Sequence, residues 1–383
     1  MKYYLLGKSG LRVSELCLGT MTFGEEWGWG ASKEECYKIF NTYVEAGGNF
    51  IDTANKYTEG TSEKFIGEFI SSDRDRFVLA TKYTSNTKRG DPNAGGNHRK
   101  NMVQSLDASL KRLNTDYIDL YWVHAWDPLT PIEELMRALD DMVKSGKILY
   151  VGISDAPAWI VSQANTIASL RGWTEFTGLQ IEYSLIERTS ERELLPMANA
   201  LDVGVTAWSP LGNGILTGKY NKKMEKQHKH NISTSISSTS VSSTKVTEDI
   251  QDNSNGRLDV LKSMSPDLAN IFLTDKNILI TEEVIKIAKE TGCSPAQVAL
   301  NWIRQGHDIL SIHKNRIIPI IGARKESQIK DNIECIEFEL SNEQLKRLDE
   351  ISRIELGFPH DFLNSKMVNE IIYDNISIHN HRK

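Results

Sequence analysis

The stretch YIDLYWVHAWDPLTPIEELMRALDDMVKSGKILYVGIS, residues 117–154, contains the unit from which this protein is built. Two short runs rich in β-branched and aromatic residues, 117–124 and 148–154, lie on either side of a helical pattern at 131–147. Short apolar runs of this kind are typical of buried strands, and two parallel strands need a helical connection between them. The stretch therefore predicts a strand–helix–strand unit.

The same alternation continues through the chain and gives eight predicted strands. They lie at residues 16–21, 49–54, 77–83, 117–124, 148–154, 177–183, 203–209 and 317–323. Further helical patterns lie between them, and the one at residues 32–48 has a serine cap, an acidic first turn and a terminal glycine. Eight strands that are each followed by a helix are the signature of an α/β fold of the (β/α)8, or TIM-barrel, type. An open doubly wound sheet is the alternative, but it usually carries G-x-G-x-x-G after its first strand, where this chain has GTMTFG.

Four segments lie outside the eight units. Residues 3–13 predict an N-terminal β-hairpin that covers the N-terminal end of the barrel. Residues 222–256 are serine-rich and polar, and we interpret them as a long flexible insertion after strand 7. Residues 341–352 predict a capped C-terminal helix, and residues 353–383 a C-terminal tail. All of these belong to one barrel domain.

The composition limits the partners that this chain can have. Of its 383 residues, 39% are hydrophobic and 25% charged, and the net charge is 45 − 51 = −6. With no basic block, we expect neither nucleic acid nor a membrane surface as a partner. The four cysteines have no metal-like spacing, so we expect reduced thiols, no metal site and a cytoplasmic location. No secretory signal is evident at the start, and no run of about 18 apolar residues occurs.

Four polar side chains fall at the ends of three consecutive predicted strands. The second strand ends at Asp52, with Tyr57 in the following loop, the third contributes Lys82 and the fourth His124. Each of them alone is weak evidence, because a strand-end aspartate is often a helix cap and a strand-end histidine often a core residue. In a barrel, however, catalytic groups lie at the C-terminal ends of the strands. Together the four predict an acid–base site.

The chemistry of such a site centres on the phenol. A free phenol has a pKa of about 10, and a nearby ammonium lowers that pKa because it favours the phenolate. A lysine paired with a carboxylate therefore makes a tyrosine a better acid, able to protonate an alkoxide as it forms. This is what reduction of an aldehyde or ketone requires, with hydride from a nicotinamide or flavin. A Schiff-base reaction at Lys82 is an alternative barrel chemistry.

Eight segments of the chain resemble the aldo-keto reductase superfamily, in the expected order. They are LGKSGLRVSELCLGTMTFG, NFIDTANKYTEGTSEKFIGEFI, VLATKY, SLKRLNTDYIDLYWVH, GKILYVGISD, LQIEYSLIER, AWSPLGNGILTGKY and IIPIIGARKESQIKDN. Within the superfamily the chain is similar to the bacterial and fungal branch that includes aryl-alcohol dehydrogenase-like and potassium-channel β-subunit-like members. That resemblance implies a catalytic tetrad of Asp52, Tyr57, Lys82 and His124, with Tyr57 as the general acid. It also leaves open a redox-sensing module with little turnover.

The resemblance further implies that NADPH binds extended across the barrel mouth, without a Rossmann domain. The matched positions that would contact it are Gly19, Thr20, Met21, Asp52, Ser154, Asp155, Gln180, Trp208, Ser209, Pro210, Leu211, Gly214, Lys219, Gly322, Arg324, Gln328 and Asn332. Among them Trp208 would stack on the nicotinamide ring, and Ser154, Asp155 and Gln180 would bind its carboxamide. The positions that would line the pyrophosphate are Ser209, Leu211, Gly214 and Lys219. Gln328 and Asn332 would face the adenine.

Arg324 is the basis for expecting NADPH rather than NADH. It follows the eighth strand at the start of a helix, where a guanidinium can pair with the 2′-phosphate of NADP. Two positions depart from the family pattern. The family often has asparagine where this chain has Asp155, and an aspartate can accept but not donate a hydrogen bond. The segment 306–316, just before the eighth strand, looks longer than usual.

The substrate is expected to be a small carbonyl compound. Substrate selection in such barrels comes from the loops around the mouth. Trp27 lies in the loop 25–31 and Trp126 in the loop 125–130, so we expect these two aromatic side chains to contact the substrate. They indicate an apolar or aromatic aldehyde or ketone, although loop tryptophans also serve structural roles. The segment 84–100, with Lys88, Arg89, Arg99 and Lys100, leaves an anionic substrate as the alternative.

Overall fold

The computed structural model describes residues 1–220, 273–305, 316–374 and 376. Its strands, in chain order, are β1 (Tyr3–Leu5), β2 (Arg12–Ser14), β3 (Cys17–Gly19), β4 (Phe50–Asp52), β5 (Val78–Tyr83), β6 (Ile118–Val123), β7 (Ile148–Ser154), β8 (Phe176–Glu182), β9 (Gly204–Trp208) and β10 (Ile317–Gly322). Strands β3 to β10 are parallel to their neighbours and form a closed ring, in which β10 pairs with both β9 and β3. The predicted (β/α)8 barrel is confirmed, and closure of the ring excludes the open doubly wound sheet.

Helices surround the barrel. They are α1 (Lys33–Glu45), α2 (Thr61–Phe69), α3 (Arg99–Leu113), α4 (Ile132–Lys144), α5 (Ala158–Arg171), α6 (Leu194–Ala200), α7 (Asp275–Thr291), α8 (Pro295–Gln305), α9 (Glu326–Ile333), α10 (Asn342–Ser352), α11 (His360–Leu363) and α12 (Lys366–Tyr373). The predicted caps are present, since the Ser32 hydroxyl accepts from the Glu35 N–H and Ser341 forms a capping box with Gln344. No described helix is long and apolar enough to cross a membrane.

The N-terminal hairpin closes one end of the barrel. Strands β1 and β2 pair in antiparallel fashion, as predicted. Leu6, between them, is fully buried in a cluster with barrel residues such as Phe50 and Trp122. A Cβ added to Gly204 would lie 2.6 Å from the Leu6 side chain, so β9 needs a glycine there. The hairpin therefore fills this end of the barrel, and the strands terminate at the opposite end.

The barrel interior is packed rather than hollow. Trp122 on β6 is fully buried and fills the space above two glycines on neighbouring strands. A Cβ on Gly152 would lie 2.3 Å from its ring, and one on Gly178 would lie 2.8 Å from it. Small residues on β7 and β8 thus make room for one large side chain, as expected for a filled barrel.

The segments outside the repeats have different outcomes. The predicted insertion at 222–256 lies outside the described residues. Residues 306–315 also lie outside them, but β10 pairs normally on both sides, so the segment 306–316 leaves the eighth strand in place. The predicted helix at 341–352 is confirmed as α10. The tail after it contains α11 and α12, which the sequence analysis did not identify.

Candidate active site

The C-terminal ends of β4, β5 and β6 bring the four predicted acid–base residues together. Asp52 is the last residue of β4, Lys82 lies near the end of β5, and His124 directly follows β6. In the barrel register Asp52 lies opposite Ala80 and Lys82 opposite Trp122, so the strand ends lie on one rim. Tyr57 reaches this rim from a short turn, Tyr57–Gly60, that follows β4.

The Lys82 ammonium contacts three groups of the site. Its ammonium forms an ion pair with the Asp52 carboxylate and donates to the Thr53 carbonyl oxygen at 3.0 Å. The same Nζ lies 3.2 Å from the Tyr57 hydroxyl oxygen. The ammonium is therefore held by an acid and a backbone carbonyl while it contacts the phenol. This is the arrangement that the sequence analysis predicted.

The charge on Lys82 is stabilised by its neighbours. The side chain is fully buried, and burial alone would lower its pKa. The Asp52 carboxylate and the Tyr57 oxygen outweigh that effect, so the pKa of Lys82 lies above its ordinary value. An ammonium that keeps its proton cannot attack a carbonyl, which argues against the Schiff-base alternative.

His124 lies edge-on to Tyr57. The ring centroids are 5.9 Å apart at an interplanar angle of 81°. The backbone N–H of His124 donates to the Thr84 hydroxyl at 3.2 Å, and its Nδ1 is buried without a partner among the described residues. Burial, together with the Lys82 ammonium, lowers the pKa of His124 to about 3. The imidazole is therefore neutral near neutral pH and can donate or accept one hydrogen bond at each nitrogen according to its tautomer.

We expect the His124 imidazole to stay neutral between about pH 5 and pH 8. The unfolded chain would protonate it near pH 6.5 and the folded protein only near pH 3. The His124 contribution to the free energy of unfolding therefore falls as the pH is lowered through that interval. Histidine NMR titration, assigned with a His124→Gln variant, checks this. A His124 midpoint near 6.5 in the folded protein would contradict it.

Gln180 reaches the same cluster from the other side of the barrel. Its amide nitrogen donates to Asp52 Oδ1 at 3.0 Å, while Lys82 holds Oδ2. Asp52 is thus fixed by two side chains from β5 and β8. Sequence analysis placed Gln180 only against the cofactor carboxamide, and the contact with Asp52 is an additional role.

Asp155 and Trp208 form a pair at the barrel mouth. The indole N–H of Trp208 donates to Asp155 Oδ1 at 3.0 Å. Asp155 has a φ of 46°, and its neighbour Ser154 is buried. The Asp155 carboxylate, at a position where the resemblance implies asparagine, acts as an acceptor. It orients the Trp208 side chain that was predicted to stack on the nicotinamide.

The end of β3 lies beside Asp52, since Gly19 pairs with Asp52 in the barrel register. Thr20 is buried, and its hydroxyl lies 3.0 Å from the Asp52 carbonyl oxygen and 2.8 Å from the Ser62 hydroxyl. A Cβ on Gly19 would lie 2.7 Å from the Ile320 side chain, so glycine is needed there. Met21 is only half-buried at the rim. Of these three predicted cofactor positions, Met21 is the one whose side chain is open to the mouth.

The loop after β9 contains the predicted pyrophosphate positions. Ser209 has a φ of 52° and Gly214 a φ of 90°, so the chain turns tightly through the left-handed region. Pro210 is buried and Leu211 half-buried. Lys219 is exposed, with its ammonium 4.8 Å from the Tyr220 ring centroid.

The predicted adenine end follows β10. Gly322 is exposed and Arg324 partly exposed, whereas Asn332 is buried and its amide nitrogen lies 3.4 Å from the Gly322 carbonyl oxygen. The Arg324 backbone N–H donates to the Gln328 amide oxygen at 2.9 Å. Gln328 and Asn332 therefore support the turn that carries Arg324, in addition to the adenine role predicted for them.

The two tryptophans predicted to contact substrate lie in different surroundings. Trp27 packs edge-on to Tyr57, with ring centroids 6.4 Å apart, and stacks on Trp29 at 5.8 Å. Trp126 is half-buried against the hydrophobic core, and its backbone N–H donates to the Asp155 carbonyl oxygen at 3.3 Å. Trp27 therefore lies beside the predicted acid, whereas Trp126 packs against the hydrophobic core.

Sequence analysis missed three residues that support the site. Thr53 offers only its backbone carbonyl to Lys82, and Thr84 accepts the backbone N–H of His124. Glu59 accepts a hydrogen bond from the Trp27 indole at 3.2 Å. The only sequence signal was position, since each lies within two residues of a predicted tetrad member.

The fold is a (β/α)8 barrel, and the residues that were predicted to form an acid–base site lie together at its mouth. The chain belongs to the aldo/keto reductase family, whose sequence profile matches residues 15–353. It is 34% identical over 372 residues to a norsolorinic acid reductase from Aspergillus flavus, an alignment that covers 94% of this chain and 83% of that protein. It is also 34% identical over 368 residues to an aryl-alcohol dehydrogenase from Pestalotiopsis microspora, covering 94% of this chain and 84% of that protein. The chain is accordingly an oxidoreductase.

Proposed function

We propose that this protein reduces an aldehyde or ketone to the alcohol with hydride from NADPH, and that Tyr57 is the general acid. The observation that carries the proposal is the 3.2 Å contact between the Lys82 ammonium and the Tyr57 hydroxyl, with Asp52 paired to the same ammonium. An ammonium in contact with a phenol favours the phenolate and so helps the phenol to release its proton.

The proposed step needs a hydride donor, a proton donor and two supporting side chains. Bound NADPH supplies the hydride to the carbonyl carbon. Tyr57 gives its proton to the carbonyl oxygen as negative charge develops there, and Lys82 stabilises the phenolate that remains. His124, neutral and edge-on to Tyr57, is placed to orient the same oxygen by hydrogen bonding. The alcohol then leaves, and a proton from solvent restores Tyr57.

The residues at the mouth suit a dinucleotide. Among the described residues, a Cβ added to Gly322 would meet only the Gly19 carbonyl oxygen, at 3.8 Å, so there is room for a ligand to approach the backbone closely. Trp208, oriented by Asp155, offers a flat face for the nicotinamide. Lys219 is an exposed cation for the pyrophosphate, and Arg324 a partly exposed one for the 2′-phosphate.

Arg324→Met is expected to raise the Kd for NADPH by about 10-fold to 100-fold, because charge-assisted hydrogen bonds to the 2′-phosphate are lost. The Kd for NADH, which has no 2′-phosphate, should change by less than about twofold. Fluorescence titration of both cofactors measures this. Lys325→Met is the matched control, since it removes a neighbouring exposed cation. An equal loss for the two cofactors would remove Arg324 from this role.

We propose an aromatic aldehyde or ketone as the substrate class. The names of the two relatives refer to an aryl alcohol and to norsolorinic acid. In this chain Trp27 and Trp29 provide aromatic surface beside Tyr57. NADPH oxidation with benzaldehyde tests the proposal, and it also separates an enzyme from a redox-sensing module. Tight NADPH binding without turnover on a panel of aldehydes and ketones would favour the module.

A further inference from the structure

The three residues after Tyr57 adopt an uncommon backbone conformation. Thr58, Glu59 and Gly60 have φ values of 44°, 54° and 92°, all in the left-handed region. Residues with a Cβ seldom occupy this region, so two in succession need support from their surroundings. Thr58 is fully buried, and its hydroxyl donates to the Phe23 carbonyl oxygen at 2.6 Å. The turn that carries Tyr57 is thus fastened to the loop after β3.

Two further hydrogen bonds join that loop, residues 23–30, to the turn and to the residue after it. The Thr61 hydroxyl donates to the Glu26 carboxylate, and the Trp27 indole N–H donates to Glu59 Oε1 at 3.2 Å. The loop carries both Trp27 and Trp29. Its position, and that of its aromatic side chains, therefore depends on the turn next to the proposed acid.

Glu59 links two side chains because its two carboxylate oxygens have different partners. One oxygen accepts from Trp27, and the other forms an ion pair with Lys56 Nζ at 2.5 Å. The hydrogen bonds from Lys56 and Trp27 lower the pKa of Glu59, so the carboxylate is charged near neutral pH. Lys56 immediately precedes Tyr57 in the chain. Glu59 thus connects the indole of Trp27 to the segment that contains Tyr57.

The Trp27 ring is held from several directions. It stacks on Trp29 with an interplanar angle of 28°, and it meets Tyr57 at 79°, close to perpendicular. Both indoles are half-buried. The hydrogen bond from the Trp27 indole N–H to Glu59 is directional, unlike the ring contacts. It therefore fixes which edge of the indole faces the turn.

We propose that Glu59 is a positioning residue that determines substrate specificity. By holding Trp27 perpendicular to Tyr57, it presents a flat aromatic wall that favours carbonyl groups attached to an aromatic ring over those on an alkyl chain. The inference rests on the proposed carbonyl reduction. A planar ring gains stacking contacts from such a wall that an alkyl chain does not, and a wall that is already ordered avoids an entropic cost on binding.

Glu59→Leu is expected to lower kcat/KM for benzaldehyde about fivefold, through KM, with kcat nearly unchanged. For butanal both constants should stay within about twofold, so the ratio of the two specificity constants falls. Glu59→Gln retains an oxygen acceptor for the indole and should keep most of the preference. An unchanged ratio in Glu59→Leu would overturn the proposal.

Trp27→Phe supplies the matched background, because it keeps an aromatic ring but removes the indole N–H. If Glu59 acts through that N–H, Glu59→Leu has no further effect on the benzaldehyde preference in this background. An equal effect in both backgrounds would show that Glu59 acts elsewhere. Turnover itself is tested separately, by wild-type activity on both aldehydes.

Circular dichroism gives a readout that is independent of catalysis. Two stacked indoles produce an exciton couplet, and the Trp27→Phe difference spectrum identifies the part due to Trp27 and Trp29. Glu59→Leu is expected to weaken that couplet and Glu59→Gln to retain it. A couplet unchanged in Glu59→Leu would contradict the positioning role, even if the wild type reduced neither aldehyde.

Discussion

Tyr57→Phe is expected to lower kcat/KM for carbonyl reduction by about 10²-fold to 10⁴-fold, the usual contribution of a positioned general acid. The substitution removes one oxygen, which lies 3.2 Å from Lys82 Nζ, and leaves the ring in place against Trp27 and His124. The cofactor site is not altered, so the Kd for NADPH should change by less than about twofold. Steady-state kinetics and fluorescence titration measure the two quantities.

Tyr117→Phe is the control for loss of a phenol oxygen away from the mouth. Tyr117 directly precedes β6, at the other end of the barrel, and its hydroxyl donates to the Asp75 carboxylate at 2.9 Å. Turnover should be preserved in this variant. If Tyr57→Phe retained the wild-type rate, Tyr57 would not be the acid, and the proton would have to come from His124 or water.

Lys82→Met is expected to lower the free energy of unfolding by about 3–5 kcal/mol. The variant should also lose carbonyl reduction. Lys82 is fully buried and Asp52 nearly so, and the ammonium is the counter-ion of that carboxylate. Removing one partner leaves an uncompensated charge in the barrel. Urea unfolding followed by circular dichroism measures the loss.

The double variant Asp52→Asn/Lys82→Met distinguishes charge imbalance from lost packing. With both charges removed, most of the stability should return, because no buried charge is left unpaired. Reduction should not return, since the ammonium beside Tyr57 is still missing. A double variant as unstable as Lys82→Met alone would mean that the lysine contributes through packing rather than through its charge.

The sequence was sufficient to predict the barrel and the acid–base cluster, for one physical reason. Once eight strand–helix units close into a ring of parallel strands, all strand ends lie on one rim. Residues at the ends of β4, β5 and β6 must then be neighbours, as Asp52, Lys82 and His124 are. The chemistry of the three residue types, with Tyr57 close by in sequence, then indicated the role of the cluster.

Other features depend on contacts or conformations that the sequence pattern does not specify. Gln180 contacts Asp52 across 128 positions of sequence, and nothing in either strand marks that pair. Trp27 and Trp126 are both loop tryptophans near predicted site residues, yet one lies against Tyr57 and the other against the core. The left-handed turn at Thr58 and Glu59 also has no sequence signal, because the residues that usually mark such turns are glycine and asparagine.

The central claim is that Lys82 promotes reduction by acting on the Tyr57 phenol, and a single-turnover rate of NADPH oxidation tests it most directly. The rate is compared between Tyr57→Phe and the triple variant that combines it with Asp52→Asn and Lys82→Met. If the lysine acts through Tyr57, removing the ion pair slows the Tyr57→Phe protein by no more than about twofold. The claim would be contradicted if removing the ion pair slowed the Tyr57→Phe protein as much as Asp52→Asn/Lys82→Met slows the protein that retains Tyr57.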